Sequence, residues 1–421
     1  MNRLKLLLFS ALLWVTGTFY THAQERYTDD PGMDTDSIAT DTTYTDSVAM
    51  KLPWPQSVKE HLDKLLENPM LQTSQLGLMV WDLDADSCIY RHNEKQLLRP
   101  ASTMKLMTAI TAIDKLGGSY LFKTQLKYTG SIENGTLTGD VYCVGGMDPL
   151  FNSDDLTAFV NSLQEMGIDT IRGHIYADKT MKDGDPFGEG WCWDDDNPTL
   201  TPLLLSGKDT FMPRFMRMLK EHGVVCEDEF QEKACPQGAF VACTRSHAIS
   251  QVLRRMMKES DNLYAECMYY QIAATTGNRP ATARHARGLE RQLVRKTGLD
   301  PSWYKYADGS GLSLYNYVSA ELLTALLRYA HKNENIIAQL YPSLPIAGVD
   351  GTLKSRMRGN FTRGNVRAKT GTLTGIISLA GYCTAANGHK LCFAIINQGV
   401  MKGSRARGFQ DQICQALCQP Q

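Results

Sequence analysis

Beyond its N-terminal stretch the 421-residue sequence has no apolar run long enough to span a bilayer, so no transmembrane segment is expected in the body of the chain. Clustered positive charge is also missing. The formal net charge is −1, and lysine and arginine are scattered rather than gathered in a stripe with interleaved aromatics. Nucleic acid is therefore not an expected partner, because phosphate binding needs concentrated cations. No Cys/His spacing matches a zinc site, and none of the nine histidines lies in a His-Glu-x-x-His pattern. Metal catalysis has no support, and no cofactor is implied. Internal repeats are absent. Cysteine is not scarce, but eleven in a chain of this length do not make a small disulfide scaffold. The odd number leaves at least one thiol without an intrachain partner. Cys226 and Cys235 could close a loop or remain free and buried, and Cys414 and Cys418, one helical turn apart, suit a shared core face.

What remains is ordinary globular composition, 43% hydrophobic and 21% charged, at a length that suggests two domains plus tails. Arg3 and Lys5, the apolar run Leu6 to Phe19, and Thr21-His22-Ala23 together read as a signal peptide over residues 1–23. With no Cys at the cleavage point, a lipid anchor is not expected. Residues 24–52 are rich in Asp, Thr and Ser and read as a flexible linker. The expected location is exported and periplasmic, soluble or peripherally membrane-associated.

Order is expected from Pro53. A helix from Val58 ends at Asn68-Pro69, and strand-like runs follow at Leu76 to Leu83 and Cys88 to His92, separated by the turn cluster Asp84 to Ser87. A helix is predicted from Ser102 to Leu116, closed by Gly117-Gly118. Near the other end, Val366 to Gly371, Ile376 to Cys383 and Leu391 to Gln398 read as strands, with Asn387-Gly388 as a hairpin turn. A helix from Ala406 to Leu417 closes the chain. Two early strands, three late ones and a helix at each end predict one antiparallel sheet, with helices on one face, in an α+β fold. Helices are also predicted at Ile249 to Lys258, Leu263 to Ala274 and Ala320 to His331. Residues 126–245, punctuated by Gly135, Gly139, Gly145 and Gly146, read as an inserted smaller domain within a catalytic domain of residues 53–125 and 246–421.

Three short patterns carry chemistry. Ser102-Thr103-Met104-Lys105 places an amine one helical turn from a hydroxyl, so Lys105 can act as the base for a Ser102 nucleophile if burial or a nearby cation lowers its pKa. Lys369 is a candidate for that cation. Ser260-Asp261-Asn262 lies between two helices, where Ser260 could relay a proton and Asn262 hold a carbonyl. Lys369-Thr370-Gly371-Thr372 ends a strand: Lys369 and Thr370 suit a carboxylate, Gly371 permits a close backbone approach, and the Thr372 N–H suits an oxyanion hole with that of Ser102. Singly, each is more often a helix cap or a strand end. Together, in order and in these contexts, they form the S-x-x-K, S-D-N, K-T-G set of penicillin-interacting serine enzymes.

The chain resembles the class C low-molecular-mass penicillin-binding proteins, the D-alanyl-D-alanine carboxypeptidase/endopeptidase family. Beyond the three motifs, Arg99 to Lys105, Val144 to Pro149, Gly190 to Asp195, Asp308 to Ser313, Ala347 to Leu353 and Asn365 to Gly381 are similar to family segments. The resemblance implies a penicillin-recognising serine transpeptidase/β-lactamase-like fold. It implies catalysis by Ser102, Lys105 and Ser260, substrate binding by Asn262, Lys369, Thr370, Gly371 and Thr372, and no metal. Its implied partners are peptidoglycan stem peptides ending in D-Ala and, as covalent inhibitors, β-lactams.

Two departures stand out. The interval from Ser102 to Ser260 is shorter than the family's usual, which implies a reduced insert. Leu314 follows Asp308 to Ser313 where members often carry an Arg that contacts the peptide's diamino-acid side chain, and Asp178 is a substitute candidate for that amine. The competing readings are a β-lactamase, which shares the motifs but needs a deacylating Glu that cannot be assigned here, and a non-catalytic cell-wall-binding protein, which would not require Ser102 and Lys105 to be intact.

Overall fold

Strand-forming runs from both ends of the chain meet in one sheet. The computed structural model describes residues 53–192, 195 and 197–420. Five antiparallel strands lie in the order Arg367–Leu373, Ile376–Thr384, Lys390–Gln398, Gln75–Asp82, Ser87–His92. Gln75 pairs with Gln398 and Asp82 with Leu391, so the sheet closes the chain's two ends on each other. The early hairpin turns where Asp82 Oδ1 accepts from the backbone N–H of Asp84 and Ala85, both at 3.0 Å. The signal peptide and linker fall on residues outside those described, as do Trp193 and Asp194.

Helices cover both faces of this sheet, not the single face expected. Helices Gln56–Leu66 and Gly403–Cys418 pack on Leu76, Leu78, Val80, Phe393 and Ile395. Helices Lys105–Leu116, Asn262–Ala274 and Ala320–Lys332 pack on the opposite face against Met79, Ala380, Tyr382, Ala394 and Ile396. The physical reason lies in the strands. Ile376–Thr384 and Lys390–Gln398 are buried almost without interruption, and a strand covered on both sides loses the apolar–polar alternation that a half-solvated sheet displays.

A second layer is built between helix Lys105–Leu116 and the later helices. Its strands run Phe240–Ala248, Leu121–Tyr128, Val141–Val144, Ile175–Asp178, Phe230–Glu232. The first two pair antiparallel where the chain leaves and re-enters the catalytic layer. Helices Ser153–Glu165 and Phe211–Glu221 fill its core with Phe159, Phe211 and Phe215, beside Phe151. The strand-like reading of this region missed both helices, although Asn152 and Asp155 form a capping box visible in sequence. The segment Val144 to Pro149 holds this layer against helix Asn262–Ala274: Gln271 donates to the Gly146 carbonyl, Tyr264 Oη donates to the Pro149 carbonyl at 3.2 Å, and Met147 is buried. Two further helices escaped sequence reading, Ala283–Lys296 and Glu334–Ser343. Among the described residues no helix is long and apolar enough to cross a membrane.

Gly381 lies opposite Ala368 of the edge strand, and a Cβ there would lie 2.1 Å from the Arg367 carbonyl oxygen and 2.5 Å from the Ala368 Cα. Gly381→Ala should therefore cost on the order of 1–3 kcal/mol through overpacking. Urea unfolding checks this, with a lower midpoint and an unchanged slope expected.

Candidate active site

Ser102, the nucleophile expected from the sequence, sits on a sharply bent turn. Ala101 adopts φ 48°, and Ala101–Met104 makes one 3₁₀ turn that feeds directly into helix Lys105–Leu116. Ser102 is thus on the turn before the α-helix rather than in it. Residues three apart eclipse each other in this geometry, and Lys105 Nζ lies 2.9 Å from Ser102 Oγ. The Pro100 carbonyl is fixed by the hydroxyls of Thr103 and Ser378, so the turn is tied to the sheet immediately before the nucleophile.

Lys105 is completely buried. Its Nζ also lies 2.7 Å from Asn262 Oδ1 and 2.8 Å from the Ser310 carbonyl oxygen. Two of its three neighbours accept, and the third is a hydroxyl. A neutral amine has two N–H donors and one lone pair, so this arrangement directs the lone pair at the Ser102 proton. Burial pushes the Lys105 pKa down to about 8, against the charges of Asp308, Glu266 and Asp261, which favour the ammonium. Of the two causes the sequence left open, burial and a nearby cation such as Lys369, burial is the one that acts here. Lys369 is itself held well below the usual lysine range, first by its own burial and then by Lys105.

Ser260 occupies the break between helices Ile249–Lys258 and Asn262–Ala274 at φ 60°. Asp261 caps the second helix through the Tyr264 N–H and is braced by Arg255 at 3.0 Å. Ser260 Oγ accepts from Lys369 Nζ at 2.8 Å, which leaves its own proton for another acceptor. The turn is clamped from behind. Lys258 Nζ donates to the Leu344 carbonyl at 2.6 Å and to both oxygens of Asp350 at 2.7 and 2.6 Å.

Arg367–Leu373 is the edge strand of the sheet. The Ala368 N–H donates away from the sheet, to the Pro345 carbonyl. By the two-residue period of antiparallel pairing, the N–H groups of Thr370 and Thr372 also point to the open side. Thr372 is exposed. Thr370 Oγ1 donates to Thr352 Oγ1 at 2.7 Å. A Cβ on Gly371 would lie 2.1 Å from Ser378 Oγ, 2.8 Å from the Pro100 oxygen and 3.0 Å from the Ser102 nitrogen. Glycine here is what lets the edge strand sit against the nucleophile turn. Ser102, Lys105, Ser260, Asn262 and Lys369 are therefore linked through direct hydrogen bonds in two sets, with Gly371 joining the strand to the nucleophile.

Sequence reading assigned no role to the loop Asp308–Ser313, yet its Ser310 carbonyl is one of the Lys105 acceptors. Two buried carboxyls shape this loop. Asp308 Oδ1 accepts from Gly311 N and Asn316 Nδ2, and its Oδ2 accepts from Ser313 N and from Trp191 Nε1, which arrives from the second layer. Glu266 Oε1 accepts from Ser310 N at 2.8 Å and Gly309 N at 3.1 Å. Burial, and next the Asp308 charge, push the Glu266 pKa up to about 8. Helical spacing from Asn262 was the available signal, since Glu266 is four residues on and shares its face. Leu314 is 38% exposed, and its carbonyl accepts from Arg99 Nε. Asp178 is buried with both oxygens engaged, by Thr180 and by the Cys235 N–H.

The family comparison covers nearly the whole described chain, matching residues 58–203 and 206–419. The chain belongs to the D-Ala-D-Ala carboxypeptidase 3 (S13) family. It is a serine peptidase with the fold of the class C low-molecular-mass penicillin-binding proteins. It is 26% identical to the D-alanyl-D-alanine carboxypeptidase of an Actinomadura species, over 86% of this chain and 84% of that one. It is 25% identical to the D-alanyl-D-alanine carboxypeptidase DacB of Haemophilus influenzae, over 80% and 88% of the two chains. The crystal structure of penicillin binding protein 4 (dacB) from Haemophilus influenzae superposes with a TM-score of 0.77 at 24% identity, covering 85% of this chain and 97% of that one.

Asp350→Ala removes the anion that clamps Lys258 behind Ser260. We expect a lower melting temperature and, because the Ser260 turn loosens, labelling by a fluorescent penicillin slowed by about tenfold or more. Rapid-quench gel fluorescence measures the rate. Loss of stability with an unchanged labelling rate would mean that the clamp does not set the position of Ser260.

Proposed function

We propose that this enzyme removes the terminal D-Ala of peptidoglycan stem peptides through an acyl-enzyme on Ser102, and opens D-Ala cross-links by the same step. The observation that carries this reading is the fully buried Lys105 amine, which faces two acceptors and the Ser102 hydroxyl. Neutral Lys105 takes the Ser102 proton as Oγ attacks the carbonyl of the penultimate D-Ala. The N–H groups of Ser102 and Thr372 stabilise the oxyanion. Ser260, polarised by Lys369, passes its proton to the departing amine and is reprotonated by the Lys105 ammonium, which restores the neutral base. Asn262 orients Lys105 and a substrate carbonyl, and Lys369 with Thr370 holds the substrate carboxylate. Water then releases the peptide from Ser102.

The same acylation accounts for covalent inhibition by β-lactams, whose ring carbonyl would meet the same nucleophile. A crystal structure of the Haemophilus influenzae penicillin binding protein 4 relative complexed with a β-lactam supports that part of the reading. Residues 126–245 form the inserted domain of this proposal, and Trp191 supports the reading by reaching from it to Asp308. Export by a signal peptide over residues 1–23 to the periplasm belongs to the same reading, since the substrate lies outside the cytoplasm. With Leu314 in place of the family's frequent Arg and Asp178 engaged by its own layer, we propose that recognition of the stem-peptide side chain rests on contacts other than that pair.

Incubation with purified muropeptides, followed by mass spectrometry, should show loss of D-Ala. Ser102→Ala should abolish it, by about a thousandfold or more. Retention of cleavage by that variant would remove Ser102 from its role, whereas turnover of a penicillin faster than about 1 s⁻¹ would favour a β-lactamase.

The pH profile follows from Lys105. Because the amine acts only when uncharged and burial brings its pKa to about 8, kcat/KM should rise with pH through a limb near 8 and level off above it. A limb near the ordinary lysine value, measured with an acyl-D-Ala-D-Ala peptide, would contradict the assignment.

A further inference from the structure

Lys105 has two fixed acceptors besides Ser102, and both trace to one face of one helix. Asn262 supplies its Oδ1 directly from the first turn of helix Asn262–Ala274. The Ser310 carbonyl is aimed indirectly. Glu266, one turn along the same helix and 1% exposed, takes the N–H groups of Ser310 and Gly309 on its Oε1 at 2.8 and 3.1 Å, with a third, longer contact from Gly309 to Oε2 at 3.3 Å. The Ser310 carbonyl then meets Lys105 Nζ at 2.8 Å. Thr108, one turn along the nucleophile helix, closes the circuit by donating to the Gly309 carbonyl at 2.7 Å.

We infer that Glu266 is a positioning residue for the general base, fixing the Ser310 carbonyl so that Lys105 keeps its lone pair on Ser102. This rests on the roles proposed above for Ser102 and Lys105. Asp308 does not duplicate it. Asp308 braces the far side of the loop through Gly311, Ser313 and Asn316 and takes the Ser310 hydroxyl at 3.3 Å, but among the described residues only Glu266 binds the N–H of the residue whose carbonyl touches Lys105.

The environment of Glu266 makes the arrangement sensitive to charge. Lys105 faces it from the nucleophile helix, Asp308 from the loop, and Glu290, with Arg287 further along, from helix Ala283–Lys296. Tyr269, Tyr270, Cys267 and Asp261 lie on or at the start of its own helix, and Lys369 approaches Lys105 from the edge strand. Glu290 is fully buried with both carboxyl oxygens unpartnered, and its pKa is held well above the usual carboxylate range. The carboxyls that act on Lys105 are those of Asp308, Glu266 and Asp261. Burial brings the pKa values of Glu266 and Lys105 each to about 8, so the two titrate as a coupled pair in which the Glu266 carboxylate favours the Lys105 ammonium. Removing the carboxyl leaves Lys105 to titrate alone, at lower pH.

Two substitutions separate positioning from packing. Since Oε1 alone accepts both short N–H bonds, the carbonyl of Glu266→Gln can replace it while the charge is lost. Glu266→Leu fills similar space but leaves both N–H groups unpaired. The glutamine variant should keep plateau kcat/KM within about threefold, with the acid limb of its profile at lower pH. The leucine variant should lose about 10- to 100-fold, mostly in kcat. Lys105 Cε, followed by carbon-13 NMR in labelled protein, should titrate at lower pH in Glu266→Gln than in the wild type. That titration requires no turnover, so a wild type that released no D-Ala would count against the proposed function while this test still stood. A titration of Lys105 in Glu266→Gln that superimposes on the wild type would overturn the inference. So would a folded Glu266→Leu enzyme with undiminished kcat/KM. Should the leucine variant fail to fold, the glutamine titration decides alone.

Discussion

The arrangement depends on keeping one lysine amine dry. An ammonium moved from water to a protein interior loses several kcal/mol of hydration, and Lys105 avoids that cost in its uncharged form, which is the form able to accept a proton. The surrounding core maintains this condition. The residues from Lys105 to Ile113 are all buried, so the helix that begins with the base is covered on every side. Helix Asn262–Ala274 and the loop Asp308–Ser313 meet the Lys105 amine itself, and helices Ile249–Lys258, Ala283–Lys296, Ala320–Lys332 and Glu334–Ser343 pack along the rest of the helix. On the proposed roles burial therefore links stability to reactivity, since a core loose enough to admit water at Lys105 would raise its pKa back toward the ordinary lysine range and leave Ser102 without its base.

The backbone contributes as much geometry as the side chains do. The bend at Ala101 and the left-handed turn at Ser260 are conformations that L-residues adopt reluctantly, and each lies at or next to a hydroxyl of the site. Each is held by buried neighbours: the Pro100 carbonyl by Thr103 and Ser378, and the Ser260 turn by the Lys258–Asp350 clamp. Gly371 has the converse role, leaving space where the edge strand meets the nucleophile turn. The groups proposed to react are thus referenced to the sheet and two helices, and the loops only carry them.

What was legible in the sequence followed from spacing and turn chemistry. The i, i+3 offset of Ser102 and Lys105 carries the same meaning in a 3₁₀ turn as in an α-helix, so the pair could be read before the turn type was known. Asn387-Gly388 marked its hairpin for the same local reason. The reading failed where a residue's meaning depends on distant chain. Glu266 looks like any glutamate inside a helix until the loop from Gly309 is laid on it. The two-sided burial of Ile376–Thr384 resembles a generic apolar run until helix Gly403–Cys418 and the helices opposite are docked. The sequence could not choose between burial and a nearby cation as the cause of the Lys105 shift, because desolvation is a property of the whole core.

The two buried lysines also constrain each other. Lys369 is depressed by its own burial and by the proximity of Lys105, and two like charges in a poorly solvated site disfavour simultaneous protonation. One proton between them is therefore easier to accommodate than two, and any anion seated on the open side of the edge strand favours the charge on Lys369. With Lys369 charged, the ammonium form of Lys105 becomes harder to sustain, and its lone pair is left facing Ser102. A substrate that brings its own carboxylate to Lys369 would thus bias the base toward its reactive form through Coulomb interaction alone, without moving any backbone. On the proposed roles the spacing of Lys105, Ser260 and Lys369 is electrostatic as well as steric, because the residue proposed to receive the anion and the proposed base share one dry interior.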